Sequence, residues 1–197
     1  QWAGAALAGP KSRNVLSKLF PDLDVTNEGL PFMGYTKGKL FGIDAKIFRI
    51  SFSGELAYEI NVKSNNGLFM WEKIIEIGKE FNMQPYGTEA LSTLRIEMGH
   101  VAGPELDGRT IPYDVSLDGM VSKKKDFIGK RSLQKEAFTQ EDRQKIVGLV
   151  PLDKKSSIPE GSHIVENKNA KYPISKLGHV SSSCWSVENN NPFSLAI

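Results

Sequence analysis

The 197-residue sequence predicts an α+β fold, a largely antiparallel sheet with helices packed on it, followed by a small C-terminal β-barrel. Three features predict it. Residues 33 to 62 alternate apolar and polar side chains in strand fashion, punctuated by turn glycines. Two amphipathic segments at helical spacing follow. From Gln144 onward, helical texture gives way to short strands at about ten-residue intervals.

Taken in order, "WAGAALAGPKSRNVLSKLF" opens as a small-residue strand that Gly9-Pro10 turns into a helix. Pro10 suits a first helical turn, and Val15, Leu16 and Leu19 supply the apolar stripe. "MGYTKGKLFG" and "IDAKIFRISF" read as two strands with Gly42 near the turn between them. In "GLFMWEKIIEIGKEF", Leu68, Trp71, Ile74, Ile75 and Phe81 fall along one helical face, which assigns Trp71 to the core. "YGTEALSTLRIEMGH" predicts a third helix capped by Thr88, with Ala90, Leu91, Leu94 and Met98 facing inward. Residues 103 to 119, rich in Gly, Pro and Asp, make a long ordered loop or a domain edge. "KKKDFIGKRSLQKEAF" carries Phe127 and Ile128 into a short charged helix, and "KIVGLVPL", "GSHIVEN" and "KLGHVSSSCW" supply the barrel strands. A boundary at 138 to 144 then divides residues 1–140 from 141–197. No internal repeat is present.

Twenty-five Lys and Arg against 23 Asp and Glu leave a formal charge of +2, which argues against nucleic acid or anionic lipid as a partner. The run Lys123-Lys124-Lys125, broken by Asp126, reads as a solvated turn. A lone cysteine, Cys184, excludes an intramolecular disulfide and a Cys-based zinc site, and points to a reducing, cytoplasmic setting. No apolar stretch approaches the roughly 18 residues of a spanning helix. The chain opens on Gln1-Trp2 and closes on "PFSLAI", so both edges read as cut from a longer polypeptide. Apolar edges at Trp2 and Phe193 are expected to drive self-association of the isolated fragment.

His100, His163 and His179 sit in no triad motif and read as helix-end and strand-surface residues. No metal-ligand spacing, dinucleotide fingerprint or P-loop is present, and Gly34, Gly38 and Gly42 read as turn and bulge glycines. What stands out is "SFSGELAYEI", which sets Glu59 beside Tyr58 in a run that reads as a buried strand. A buried carboxylate needs a partner. Arg49, Arg95 and Glu97 are the other charged residues in apolar elements. Two readings stay open: an internal ion pair of Glu59 with Arg49 or Arg95, or a pocket where carboxylate and guanidinium meet a polar ligand.

"ALAGPKSRNVL", "FRISFSGELAYEI", "YGTEALSTLRIEMGH", "VSKKKDFIGKRSL" and "LGHVSSSCWS" occur in the order found in the glycine-cleavage T-protein (aminomethyltransferase) family, which the chain resembles over nearly its whole length. "SFSGELAYEI" and "VSKKKDFIGKRSL" are more closely similar to the C-terminal half of the α subunits of heterotetrameric sarcosine oxidases.

The resemblance implies an N-terminally truncated T-protein folate-binding fold that transfers a one-carbon unit from a methylamine-derived imine to tetrahydrofolate, giving 5,10-methylenetetrahydrofolate. The family's pterin-binding glutamate falls on Glu59 and its folate-contacting arginine on Arg95, with Tyr58 and Phe52 in the same block. Phe52 stands where free T-protein has a tyrosine, so it keeps the ring and loses the hydroxyl. The family's catalytic aspartate belongs to a segment before "ALAGP" and a further contact to one beyond Ile197. No catalytic residue is therefore assigned here, and the isolated fragment is expected to be inactive. Flavin and NAD are expected on other segments or subunits, and the implied partners are folate and the other sarcosine oxidase subunits. Two alternatives remain: a free aminomethyltransferase or dimethylglycine dehydrogenase-like domain, and a non-catalytic folate-binding regulator or scaffold.

Overall fold

The computed structural model describes residues 1–169 and 171–197. Two compact units make up the chain, Gln1–Leu94 and Arg95–Ile197. The change of texture expected at 138 to 144 lies inside the second.

In the first unit, strand β1 (Trp2–Ala8) leads into helix α1 (Ser12–Leu19). Pro10 lies in the turn before the helix rather than in its first turn. A hairpin follows, β2 (Tyr35–Leu40) and β3 (Ile43–Phe48), and then β4 (Ala57–Lys63). The hairpin turns on two residues, Phe41 at φ 49° and Gly42 at φ 89°. Positive φ at both positions gives the turn whose twist matches the strands, and glycine tolerates it without strain. All pairings are antiparallel, in the order β1-β4-β3-β2, which leaves β1 and β2 at the edges.

Strand periodicity decides the inside of this sheet. On β4, Tyr58, Ile60 and Val62 point to one face and are fully buried, while Glu59 and Lys63 are exposed. The buried face is covered by Val15, Leu16 and Leu19 of α1 and by Met70 and Ile74 of α2 (Gly67–Gly78), which join Leu7, Ile47, Tyr58, Ile60 and Val62 in one core. Each such side chain withdrawn from water contributes about 1.5–3 kcal/mol.

Helix α2 corrects the sequence reading. Its buried residues are Met70, Ile74 and Gly78, whereas Leu68 is exposed and Trp71 half-exposed. The helix is apolar on more than one face, so periodicity alone did not select the face that meets the sheet. Trp71 instead lines a groove with β1, Tyr86 and Leu91. Helix α3 (Thr88–Glu97) also differs, with Thr88 as its first residue. Its buried residues are Arg95 and Ile96, while Ala90 and Met98 are exposed and Leu91 and Leu94 are intermediate.

The second unit holds strands β5 (Val147–Leu149), β6 (His163–Ile164), β7 (Gly178–Ser186) and β8 (Asn191–Ala196). They form one antiparallel sheet in the order β5-β8-β7-β6. A barrel was expected; among the described residues the strands form this four-stranded sheet, with β5 and β6 at its two ends. Between α3 and β5 the chain makes single turns of 3-10 helix at 112–115, 118–120 and 132–134, then α4 (Glu136–Thr139). The expected charged helix is thus reduced to α4, and Ile128 is fully exposed. The 112–115 turn is pinned by Arg143, whose Nε and Nη2 donate to the two oxygens of Asp114 at 2.8 and 2.5 Å.

Candidate functional site

Glu59 is exposed on the outer face of the first sheet, and it has no hydrogen bond or ion pair among the described residues. The expectation of a buried carboxylate is overturned, and so is its pairing with Arg49. "ELAYEI" alternates, and the strand turns Tyr58 and Ile60 inward, so Glu59 must turn outward.

Register builds a surface around it. Ala6 on β1 and Phe48 on β3 lie directly opposite Glu59, and Tyr35 on β2 lies opposite Phe48. These four positions form one row across all four strands on the outer face. The rings of Tyr35 and Phe48 meet at 4.8 Å between centroids. In the next rows, a Cβ on Gly4 would lie 2.8 Å from Asn61 Oδ1, and the Lys46 ammonium sits 4.0 Å from the Trp2 ring centroid. A carboxylate, an amide and a ring pair thus share a low floor of glycine and alanine. Such a surface offers acceptors to a flat, donor-edged ligand and ring faces for stacking.

Phe52 is 42% exposed in the loop preceding β4. Tyr58 points into the core, where its hydroxyl accepts a hydrogen bond from Arg13 Nε at 3.1 Å. Arg95 belongs to the second unit and is buried. Its Nη1 donates to Glu105 Oε2 at 2.8 Å and to the His100 carbonyl at 3.3 Å, and its Nη2 donates to Ser182 Oγ at 2.6 Å.

Glu105, Ser181 and Ser182 escaped the sequence reading. Glu105 sits in the Gly/Pro/Asp-rich stretch that looked like ordinary loop, and the only signal was a run of serines inside an apolar strand. Ser182 donates to Glu105 Oε1 at 2.6 Å and Ser181 reaches the same oxygen at 2.7 Å. Successive strand residues normally face opposite ways; a register shift between Val180 and Ser182 lets both hydroxyls serve one carboxylate. The Ala102 N–H completes the set at 2.9 Å from Oε2. Burial pushes the Glu105 carboxyl up, but Ser182, Ala102, Ser181 and the Arg95 charge outweigh it and hold it below its ordinary value.

Among the described residues, no group of three or more His, Cys, Asp or Glu is arranged to hold a metal, and no helix is long and apolar enough to cross a membrane.

Comparison with known proteins identifies the framework that carries this surface. The GCVT N-terminal domain family matches residues 1–125. The chain belongs to that family. Sarcosine oxidase subunit alpha of Rhizobium meliloti (strain 1021) is 42% identical over 200 residues, spanning 100% of this chain and 20% of that protein. The same subunit of Corynebacterium sp. (strain P-1) is 46% identical over 167 residues, 84% of this chain and 17% of that one. An aminomethyltransferase of Thermoanaerobacter sp. (strain X514) is 31% identical over 99% of this chain and 51% of its own length. In fold, the chain is similar to the glycine cleavage system aminomethyltransferase T of Bartonella henselae, with a TM-score of 0.81 at 24% identity, covering 99% of this chain and 51% of that structure. This GCVT chain therefore spans about a fifth of its sarcosine oxidase relatives and about half of its aminomethyltransferase relatives. It is an aminomethyltransferase-type domain related to sarcosine oxidase α subunits.

Proposed function

We propose that this chain is the tetrahydrofolate-binding, one-carbon-transfer region of a sarcosine oxidase α subunit. The observation that carries the reading is Glu59, an exposed carboxylate with no partner among the described residues, on a ring-lined sheet face; the resemblance assigns the family's pterin-binding glutamate to this position. Tetrahydrofolate supplies the nucleophilic nitrogens that take up the methylene of an oxidised-sarcosine imine as 5,10-methylenetetrahydrofolate, releasing the amine. The residues of this chain hold and orient: Glu59 accepts the donor edge of the pterin, and Phe52 packs against a ring. Tyr58 fixes β4 through Arg13, and Arg95 fixes the loop around Glu105 within its own unit. Flavin and NAD bind other segments or subunits in this reading, those subunits are its partners, and its setting is the cytoplasm. The free 197-residue chain, with Trp2 half-exposed on the edge strand β1, self-associates.

The test is Glu59→Gln in the complete enzyme. An amide donor then faces a donor edge, so tetrahydrofolate affinity falls about ten- to a hundredfold. Oxygen uptake on sarcosine continues and the product shifts from methylenetetrahydrofolate to formaldehyde. Unchanged folate affinity and product ratio would refute the assignment.

A further inference from the structure

We propose that the first unit carries a binding site for a small oxyanion, phosphate or carboxylate, between α1 and the segment leading from β3 to β4. Two guanidinium groups meet there on one neutral oxygen. Arg13 Nη2 and Arg49 Nη1 donate to Asn27 Oδ1 at 2.7 and 2.9 Å. Among the described residues neither has a carboxylate within ion-pair distance. Two like charges placed this close, half-buried and without a counter-charge, repel each other and lose hydration.

Further donors stand on the same segment and on β4. Arg13 Nε already occupies the Tyr58 hydroxyl as an acceptor, which leaves the hydroxyl hydrogen to be placed. Four buried side-chain atoms lack a partner among the described residues, and three of them fall at alternate positions of one short segment: Arg49 Nε, Ser51 Oγ and Ser53 Oγ. Arg49 Nε is a donor only, and each serine has a hydroxyl hydrogen to give. Against them stand the Asn27 oxygen and the Leu30 carbonyl, which Arg49 Nη1 reaches at 3.0 Å. An oxyanion supplies the counter-charge that the two guanidinium groups lack and an acceptor for Arg49 Nε, through charge-assisted hydrogen bonds. Asn27 is exposed, so the cluster has an open side. The segment 49 to 53 contains Phe52 and leads on to β4, and a bound anion would brace it.

The test uses the 197-residue chain labelled with nitrogen-15, following the arginine Nε–H signals by NMR. Inorganic phosphate and acetate are titrated separately, with chloride holding ionic strength constant. The expected result is a saturating shift of the Arg49 Nε–H signal, with half-saturation moved about tenfold higher in Arg13→Gln, the loss of roughly one charge-assisted bond. Saturation with phosphate alone identifies a tetrahedral anion; saturation with acetate as well identifies a general oxyanion site that a partner's carboxylate can fill. Ser53→Ala leaves the charges in place and should weaken phosphate severalfold, which covers the case in which Arg13→Gln does not fold. Linear shifts with both anions, or identical titrations in wild type and variant, would overturn the proposal and leave water as the partner of these donors.

Discussion

Arg95 Nη1 donates to Glu105 Oε2 at 2.8 Å, with 6% of one side chain and 0% of the other exposed. An ion pair so withdrawn from water holds only because its remaining valences are filled, by Ser181, Ser182 and the Ala102 N–H on the carboxylate and by Ser182 Oγ and the His100 carbonyl on the guanidinium. It ties the end of α3 to β7 within the second unit.

Removing one member strands the other. Arg95→Leu should lose about 3–5 kcal/mol of stability in denaturant unfolding. Arg95→Leu combined with Glu105→Leu should lose distinctly less than the sum of the single changes, because neither charge is then left alone. Strict additivity would show that the pair is not coupled.

Acid should act on the same carboxylate. Glu105 and Asp114 are both held below their ordinary values of 4.5 and 3.8; in each, burial acts upward and is outweighed, by Ser182 for Glu105 and by Arg143 for Asp114. A depressed folded value means that the unfolded chain binds the proton more readily. Both groups therefore contribute stability that is fully present above their ordinary values and lost as pH falls through the folded values. Ser182→Ala weakens the hold on Glu105, so its acid unfolding midpoint should move to higher pH. A midpoint unmoved by that change would remove Ser182 from the account.

Glu59→Gln should leave stability within about 0.5 kcal/mol, since the side chain is exposed and has no partner among the described residues. A larger loss in thermal or denaturant unfolding would restore the ion-pair reading and weaken the ligand-anchor reading together.

Tyr58→Phe removes a fully buried hydroxyl that accepts from Arg13 Nε, and should cost about 1 kcal/mol with the fold unchanged. Wild-type stability in the variant would mean that Arg13 finds an equivalent acceptor.

Gly42→Ala places a Cβ at φ 89° in the β2–β3 turn, where nothing crowds it but the backbone conformation is strained. The expected cost is about 1–2 kcal/mol, read from the urea midpoint.

By itself the sequence determined the elements whose signals are local. Strand alternation, the stripe of Val15, Leu16 and Leu19 and the turn glycine at 42 all name structure within a few residues, because backbone geometry sets their period. The five ordered motifs named the family, and they led to Glu59. Only the tertiary structure decided which way each ambiguous face turned. Trp71 and Leu68 lie on a helix apolar on several sides, and the position of the sheet left them out of the core. Alternation along β4 committed Tyr58 to the interior and so put Glu59 outside. The partner of Arg95 was chosen by a contact ten residues away and another eighty-seven away, made possible by a bulge in β7. Such pairings depend on loop paths and register, which fold back from distant segments and leave no periodic mark in the residues they join.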